Sequence, residues 1–470
     1  MSTFVKMMVL LTCHVMVSAQ NLPSEVVAAL HRAKVPVSAV AMLVTDVDAR
    51  VSPRLSHRAE VPMNAASVMK LVTTCAALDI LGPAYTWRTP VWIDGPVMGG
   101  VLKGNVVIQG QGDPKLVLEK LMLLLRRVQG FGIETIVGDI VLDSSLFDVP
   151  SQDPASFDGE PLRPYNAAPD ALLINFKSLV MTLVPDPQAR VAHVQFDPPL
   201  WGVQMQSQVR LSVGKNTTSS NECDDYRTSL KADFSDPTRI RFDGSYPANC
   251  AEKVWPVAYA DPSSFNARAV EGVWRNMGGK LTGSVRQGTA PTRSATFEVT
   301  SPTLTEVIRD INKFSNNVMA QQVFLTLGYR VTGKGSREAA RDVLHEWWLK
   351  RIGASDAPLL DNGSGLSRTE RISAQSLGRL LLTAYASPWM PELMSSLPIV
   401  GVDGTLKRSQ ATAVSAHLKT GSLRDVMSVA GYVDAANGRR YGVVAIVNHP
   451  NASAAREALD NLLVWTAKAP

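Results

Sequence analysis

Three short polar motifs follow one another along the chain: Ser67-Val-Met-Lys70, Ser315-Asn316-Asn317 and Lys419-Thr420-Gly421. On a helix, residues three apart share a face, so Ser67 and Lys70 would stand one above the other. A neutral lysine there could take the hydroxyl proton and make Ser67 a nucleophile. The second motif would add another hydroxyl and an amide, and the third a cation and a hydroxyl suited to a carboxylate. None is specific alone. A second SxxK occurs at Ser212-Val-Gly-Lys215, and SxN recurs at Ser219-Ser220-Asn221 and Ser264-Phe265-Asn266, in turn-rich stretches where such residues are common. Lys-Thr-Gly occurs once.

Local context separates the first SxxK from the second. Ser67 opens an apolar run expected to be helical to about Leu81, where Gly82-Pro83 stops it. Ser212 lies in "VQMQSQVRLSVGK", which alternates as a strand and contains Gly214. Ser315 closes a helical stretch. Lys419 belongs to an edge-like strand ahead of "MSVAGYVDAANGRRYGVVAIVNH", two apolar runs about an Asn-Gly turn and hence a hairpin.

The elements around these motifs change in texture along the chain. Strand and helix open it, short Val-rich strands with Gly, Pro and Asp turns fill Thr86 to about Pro302, and helices return beyond residue 303. One amphipathic helix, "KLVLEKLMLLLRRVQ", interrupts the middle, and another, "ASAAREALDNLLVWTAKA", closes the chain. This order predicts one α/β domain split by a long β-rich insertion.

Composition sets the outer limits. The 470 residues are 45% hydrophobic and 19% charged, enough apolar surface for sizeable cores, and the formal charge is +5. With no block of like charges, that balance gives no support for nucleic acid as a partner. "MSTFVKMMVLLTCHVMVSAQ" places one lysine before an apolar stretch and small side chains at Val17-Ser18-Ala19, the pattern of a cleavable secretory signal over 1–19. The mature protein is expected to be soluble and exported, with or without loose membrane association and with no transmembrane anchor. Of the remaining cysteines, Cys223 and Cys250 flank a polar stretch and are the expected disulfide, whereas Cys75 reads as a small buried apolar residue. The seven histidines show no metal-ligand spacing, so no metal and no cofactor are assigned.

Taken together with "GQGDPKL" (110–116), "GDIVLDSSLF" (138–147), "DNGSGLSR" (361–368) and "GVDGTLKR" (401–408), the three motifs resemble the class C penicillin-binding proteins. These are the D-Ala-D-Ala carboxypeptidase/endopeptidases of the penicillin-binding protein 4 type. The resemblance spans about residues 24–467 and includes the long gap between the first two motifs (315 − 67 = 248 residues). Asn316 departs from it, because the family usually has Asp there.

The resemblance implies a multidomain α/β protein. A β-lactamase/transpeptidase-like catalytic domain, a sheet flanked by helices, would comprise 20–86 and 306–470. Two inserted β-rich domains would follow the divisions 87–112 plus 196–305 and, nested within, 113–195. It also implies a periplasmic serine peptidase acting on peptidoglycan stem peptides and cross-links, with β-lactams as covalent inhibitors. Ser67 would form the acyl-enzyme, Lys70 would act as base, Ser315 would relay a proton, and Asn317 would hold Lys70 and the substrate amide. Lys419 and Thr420 would bind the terminal carboxylate, Gly421 would allow close approach of the peptide, and the N–H groups of Ser67 and Ser422 would form an oxyanion hole. Arg368, with Ser364 nearby, would face the carboxylate of a diaminopimelate side chain, and Asp158 its amine. A class A β-lactamase would need a Glu-x-x-x-Asn motif that does not occur between the first two motifs. A general esterase of this fold would lack reason to keep Lys419 and Thr420. The alternative that stays open is a β-lactamase or a non-hydrolytic penicillin-binding sensor of the same fold, the sensor retaining Ser67 and Lys70. Sequence carries no signal for oligomeric state.

Overall fold

The computed structural model describes residues 21–48, 52–212, 221–354 and 356–469. The expected signal peptide, Cys13, Lys215 of the second SxxK, and Ser219 and Ser220 lie outside the described residues.

Five antiparallel strands form the central sheet, in the order Leu55–His57, Val40–Asp46, Arg440–Asn448, Val426–Asp434, Ala416–Leu423. Both faces are covered, which is why these strands read as nearly continuous apolar runs. Alternation still sorts the side chains. Val40, Met42 and Val44 join one hydrophobic cluster with Val443, Ala445 and residues of the helices Ser24–Arg32 and Arg456–Ala467. Ala41, Leu43, Ala430, Tyr432, Val444 and Ile446 point the other way, into a second cluster. That cluster holds the helices Lys70–Ile80, Leu304–Phe314, Asn317–Thr332, Arg337–Arg351 and Ala374–Tyr385. The helix Asn317–Thr332 is buried at every position from Asn317 to Gly328, as a central helix must be.

Two helices meet at the second motif, and Ser315 closes the first of them as expected. Leu304–Phe314 starts with a capping box, in which Thr303 and Glu306 satisfy each other's backbone N–H. It stops at Ser315, which adopts the left-handed conformation (φ 58°, ψ 37°). Asn316 then caps Asn317–Thr332, its Oδ1 accepting from the Met319 N–H at 3.0 Å. The departure at Asn316 is thus chemically mild, because Asn and Asp are about equally good N-caps.

The insertion leaves and returns side by side: its entry strand Arg88–Asp94 pairs with its exit strand Phe297–Thr300. These belong to a sheet in the order Val285–Gln287, Ile140–Asp143, Asn105–Gln109, Arg88–Asp94, Phe297–Thr300. A second five-stranded sheet runs Tyr246–Pro247, Gln208–Ser212, Val191–Asp197, Ser178–Asp186, Lys253–Ala258. Strand pairing therefore cuts across the expected divisions. Ile140–Asp143 and Ser178–Asp186, both assigned to 113–195, lie in different sheets, and Lys253–Ala258 pairs with Ser178–Asp186 rather than with strands of 87–112. Alternation identifies a strand but not its distant partner, which is why the divisions were misplaced. The nested sheet is drawn from about 178–258, inside strands contributed by 88–143 and 285–300.

Cys223 and Cys250 form the expected disulfide, with Cα atoms 5.4 Å apart, and Cys75 is a buried free thiol. Among the described residues, no helix is long and apolar enough to cross a membrane.

Candidate active site

Ser67 sits in a 3-10 turn, Ala66–Met69, that runs directly into the α-helix Lys70–Ile80. Ala66 has a positive φ of 46°, so something must hold the turn. Asn64 does so: its Oδ1 accepts from the Ala66 N–H at 2.8 Å, and its Nδ2 donates to Ser367 O at 2.9 Å. Asn448, on a central strand, makes a reciprocal pair with the Asn64 backbone at 3.0 and 2.8 Å. Neither asparagine was singled out in the sequence, where only the short polar start of "NAASVMK" hinted at a cap.

Lys70 is fully buried, and its Nζ lies 2.8 Å from Ser67 Oγ, 2.6 Å from Asn317 Oδ1 and 2.5 Å from Ser364 O. Burial first, and the charge of Lys419 second, hold its pKa well below the ordinary lysine value, while Glu370 acts in the opposite direction. A neutral amine has two N–H groups and one lone pair. With the amide oxygen and the carbonyl taking the two hydrogens, the lone pair is left facing the Ser67 hydroxyl, the arrangement that proton abstraction requires.

Lys419, also fully buried, donates to Ser315 Oγ at 2.9 Å and to Thr420 O at 2.7 Å. Burial pulls its pKa down to about 7. Its strand, Ala416–Leu423, is a sheet edge as expected. Beyond the point where Pro398 and Val400 pair with Leu418 and Ala416, that edge faces a cleft of about 1040 Å³ lined by Ser67, Ser315, Asn317, Thr405, Thr420, Gly421 and Ser422. Lys419 itself stands behind this lining. An anion in the cleft would meet the hydroxyls of Ser315, Thr405 and Thr420, with the lysine charge behind them. Thr405, within "GVDGTLKR", places its Oγ1 2.7 Å from Thr420 Oγ1, a neighbour that the three motifs alone do not mark.

One expectation needs correction, and Gly421 has a packing reason beside the one expected of it. The Ser364 side chain is fully buried, its Oγ tied to Asn362 Oδ1 (2.7 Å) and to the Leu366 N–H (3.2 Å), so it is not available to a substrate. What Ser364 supplies is its carbonyl, to Lys70. Gly421 is required for packing within the protein: a Cβ there would lie 2.4 Å from Ser428 Oγ, 2.5 Å from Ala65 O and 3.0 Å from Ser67 N. The edge strand is thereby pressed against the nucleophile's own turn.

Arg368 and Asp158 both line the cleft, one from the catalytic domain and one from the insertion. Arg368 stacks over Phe157, 4.7 Å from the ring centroid, and pairs with the exposed Asp425 at 3.2 Å. Asp158 accepts from Tyr165 OH (2.9 Å), Asn166 Nδ2 (2.8 Å) and the Glu160 N–H (3.1 Å); burial opposes ionisation, but these bonds prevail and hold its pKa below the usual value. Ser212 ends a strand of the insertion and is not among the cleft residues.

A last residue lay unnoticed in "DNGSGLSRTERIS". Glu370 is fully buried, and its Oε1 accepts from the N–H groups of Asp361, Asn362 and Gly363 at 3.0, 3.1 and 3.2 Å. Burial raises its pKa. It fastens the loop whose next carbonyl holds Lys70.

A mixed α/β domain with a serine at hydrogen-bond distance from a buried lysine, split by a large β-rich insertion, defines a serine peptidase of the penicillin-binding class. Residues 22–469 match the D-Ala-D-Ala carboxypeptidase 3 (S13) family, and the chain belongs to it. It is 27% identical over 424 residues to a D-alanyl-D-alanine carboxypeptidase of Actinomadura sp. (strain R39), covering 85% of this chain and 75% of that one. It is 24% identical over 398 residues to D-alanyl-D-alanine carboxypeptidase DacB of Haemophilus influenzae, covering 82% and 80%. The crystal structure of penicillin binding protein 4 from H. influenzae superposes with a TM-score of 0.72 at 22% identity, over 93% of this chain and 99% of that one, a likeness of fold.

Proposed function

We propose that the protein is an exported serine D-Ala-D-Ala carboxypeptidase and endopeptidase of peptidoglycan stem peptides, inhibited covalently by β-lactams. The observation that carries this reading is Lys70: a fully buried Nζ 2.8 Å from Ser67 Oγ, with Asn317 Oδ1 and Ser364 O to take its two N–H groups when it is neutral. Ser67 Oγ attacks the carbonyl of the penultimate D-Ala while its proton passes to Lys70. The N–H groups of Ser67 and Ser422 receive the oxyanion. As the C–N bond breaks, Ser315 gives its proton to the leaving nitrogen and is resupplied by Lys419, 2.9 Å away. Water then hydrolyses the ester, and the second product leaves.

The terminal carboxylate rests against Ser315, Thr405 and Thr420. In a longer substrate, Arg368 meets the carboxylate of the diaminopimelate side chain and Asp158 its amine. Arg suits a carboxylate because its planar fork can donate two hydrogen bonds.

Incubation with purified muropeptides, with product masses read out, tests the activity. Loss of D-Ala from pentapeptides and cleavage of cross-linked dimers is expected, and both should vanish in Ser67→Ala. Stable penicillin acylation without either product would favour a sensor instead. For the substrate reading, Arg368→Ala should lose rate on a diaminopimelate peptide and keep it on a minimal diacyl-D-Ala-D-Ala. Equal losses on the two would assign Arg368 to the fold.

A further inference from the structure

The hydroxyls that would receive the terminal carboxylate are joined into a closed ring. Ser315 Oγ accepts from Lys419 Nζ at 2.9 Å, and Thr420, next to Lys419, has its Oγ1 2.7 Å from Thr405 Oγ1. Two residues before Thr405, Asp403 pairs through Oδ2 with Lys313 Nζ at 2.6 Å, and Lys313 stands two residues before Ser315. Ser315, Thr405 and Thr420 line the cleft, whereas Lys313 and Asp403 are not among its lining residues. We propose that the Lys313–Asp403 ion pair is a positioning pair that closes this ring and sets the spacing of the three hydroxyls against a substrate's terminal carboxylate. This rests on the peptidase reading above, in which that carboxylate lies against them.

Local sequence brings each partner to one point. Lys313 occupies the last turn of the helix Leu304–Phe314, where the helix dipole favours a cation, and its side chain is buried. Asp403 stands just before the 3-10 turn Gly404–Leu406, which carries Thr405. Its Oδ1 accepts from the Ile399 N–H at 2.8 Å, folding the segment 399–403 back on itself. Burial opposes ionisation of Asp403, but that bond and Lys313 prevail and hold its pKa below the usual carboxylate range. Gly404 adds a backbone contact at the same place: its φ is 56°, and a Cβ there would lie 2.5 Å from Lys313 O. The turn that carries Thr405 is therefore fixed to the helix end that carries Ser315.

Stability is a poor reason for such a pair, because apolar side chains of similar volume usually serve a fold as well as a buried ion pair does. What the pair adds is direction, since its two ends select one arrangement of the elements that bear them. Thr420 is held by its own strand, Ala416–Leu423, but Thr405 lies on a short turn. Val402, beside Asp403, is exposed, so that turn has solvent to move into. Without its charged tie to the helix, Thr405 draws back from the carboxylate.

Second-order acylation by benzylpenicillin and by its methyl ester tests this without relying on peptide turnover, since only the first carries a carboxylate. The variant used is Lys313→Met with Asp403→Asn, which leaves no buried charge unpaired. It should react with the acid about tenfold to a hundredfold more slowly, the range for losing one hydrogen bond to a charged group, and with the ester within about twofold of the parent. The loss should appear in the binding constant rather than in the limiting acylation rate. Adding Thr405→Val should then cost the acid little more, because the pair acts through Thr405. Equal losses on acid and ester, or a preference for the acid as large as the parent's, would overturn the proposal. If the double variant does not fold, Asp403→Asn alone, which keeps an acceptor for the Ile399 N–H, carries the same comparison. A protein that shows these penicillin preferences yet releases no D-Ala from pentapeptides would keep the positioning pair and lose the peptidase reading.

Discussion

Lys419 Nζ donates to Ser315 Oγ at 2.9 Å, which couples the third motif to the second rather than leaving each to act on substrate separately. Removing either partner should therefore remove most of what both contribute. Lys419→Ala should cost on the order of 2–5 kcal/mol in acylation, the range for losing a buried charge partner. Adding Ser315→Ala should cost less than it does alone, with a coupling of about 1–3 kcal/mol. Second-order rates of penicillin acylation across the four proteins measure it, and strict additivity would mean that the two groups work apart.

Asn316 should tolerate the residue that its family prefers. Its visible duty is to cap Asn317–Thr332, and Asp performs that duty as well. Asn316→Asp should leave acylation within about twofold, whereas Asn316→Ala should lose roughly 1 kcal/mol of stability. A large activity change in Asn316→Asp at unchanged melting temperature would show that the side chain does more than cap.

The reading from sequence succeeded where chemistry is local and failed where it depends on distant packing. Ser67 and Lys70 were legible because three residues of helix bring them together, and Lys419 because an apolar hairpin marks its strand. The partners of Lys70 supplied by Asn317 and Ser364 come from 247 and 294 residues away. Motif order pointed to Asn317, while nothing local showed that Ser364 would act through its carbonyl. Gly421 was legible as a position that needs no side chain, but the atoms it avoids, on Ser428 and Ala65, are visible only in the fold. The insertion's divisions were misplaced for the same reason: Ile140–Asp143 reads plainly as a strand and carries no mark of pairing with Asn105–Gln109.

Gly421→Ala follows from that contact. One of the clashing atoms is the Ala65 carbonyl, which cannot rotate away, so the nucleophile turn must move. Acylation should fall by at least tenfold, as expected when a nucleophile is displaced by about 1 Å. Normal acylation would mean that the strand can shift outward without Ser67.

Glu370 should act on Lys70 through the loop and through its charge, and two variants separate these. Glu370→Ala abandons three buried N–H groups at about 1–3 kcal/mol each, so both stability and acylation should drop sharply. Glu370→Gln keeps an acceptor oxygen and removes the charge that raises the Lys70 pKa. Its acylation profile should therefore rise at lower pH than that of the parent. An unmoved acid limb in Glu370→Gln would show that the carboxyl is already neutral there.

The pH dependence of Lys419 can be read in both activity and stability. Burial holds its pKa at about 7, and the proposed chemistry needs it protonated, so kcat/KM on a D-Ala-D-Ala peptide should fall as pH rises through about 7. Stability runs the opposite way. An unfolded lysine titrates near 10.4, so between about 7 and about 10 the unfolded chain binds the extra proton, and folding is favoured as pH rises across that window. The melting temperature should thus increase from about pH 7 to about pH 9, and Lys419→Met should flatten the increase while abolishing the alkaline limb of the rate. If Lys419→Met melts with the same pH slope as the parent, the charge of Lys419 is relieved in the folded protein by something other than loss of its proton.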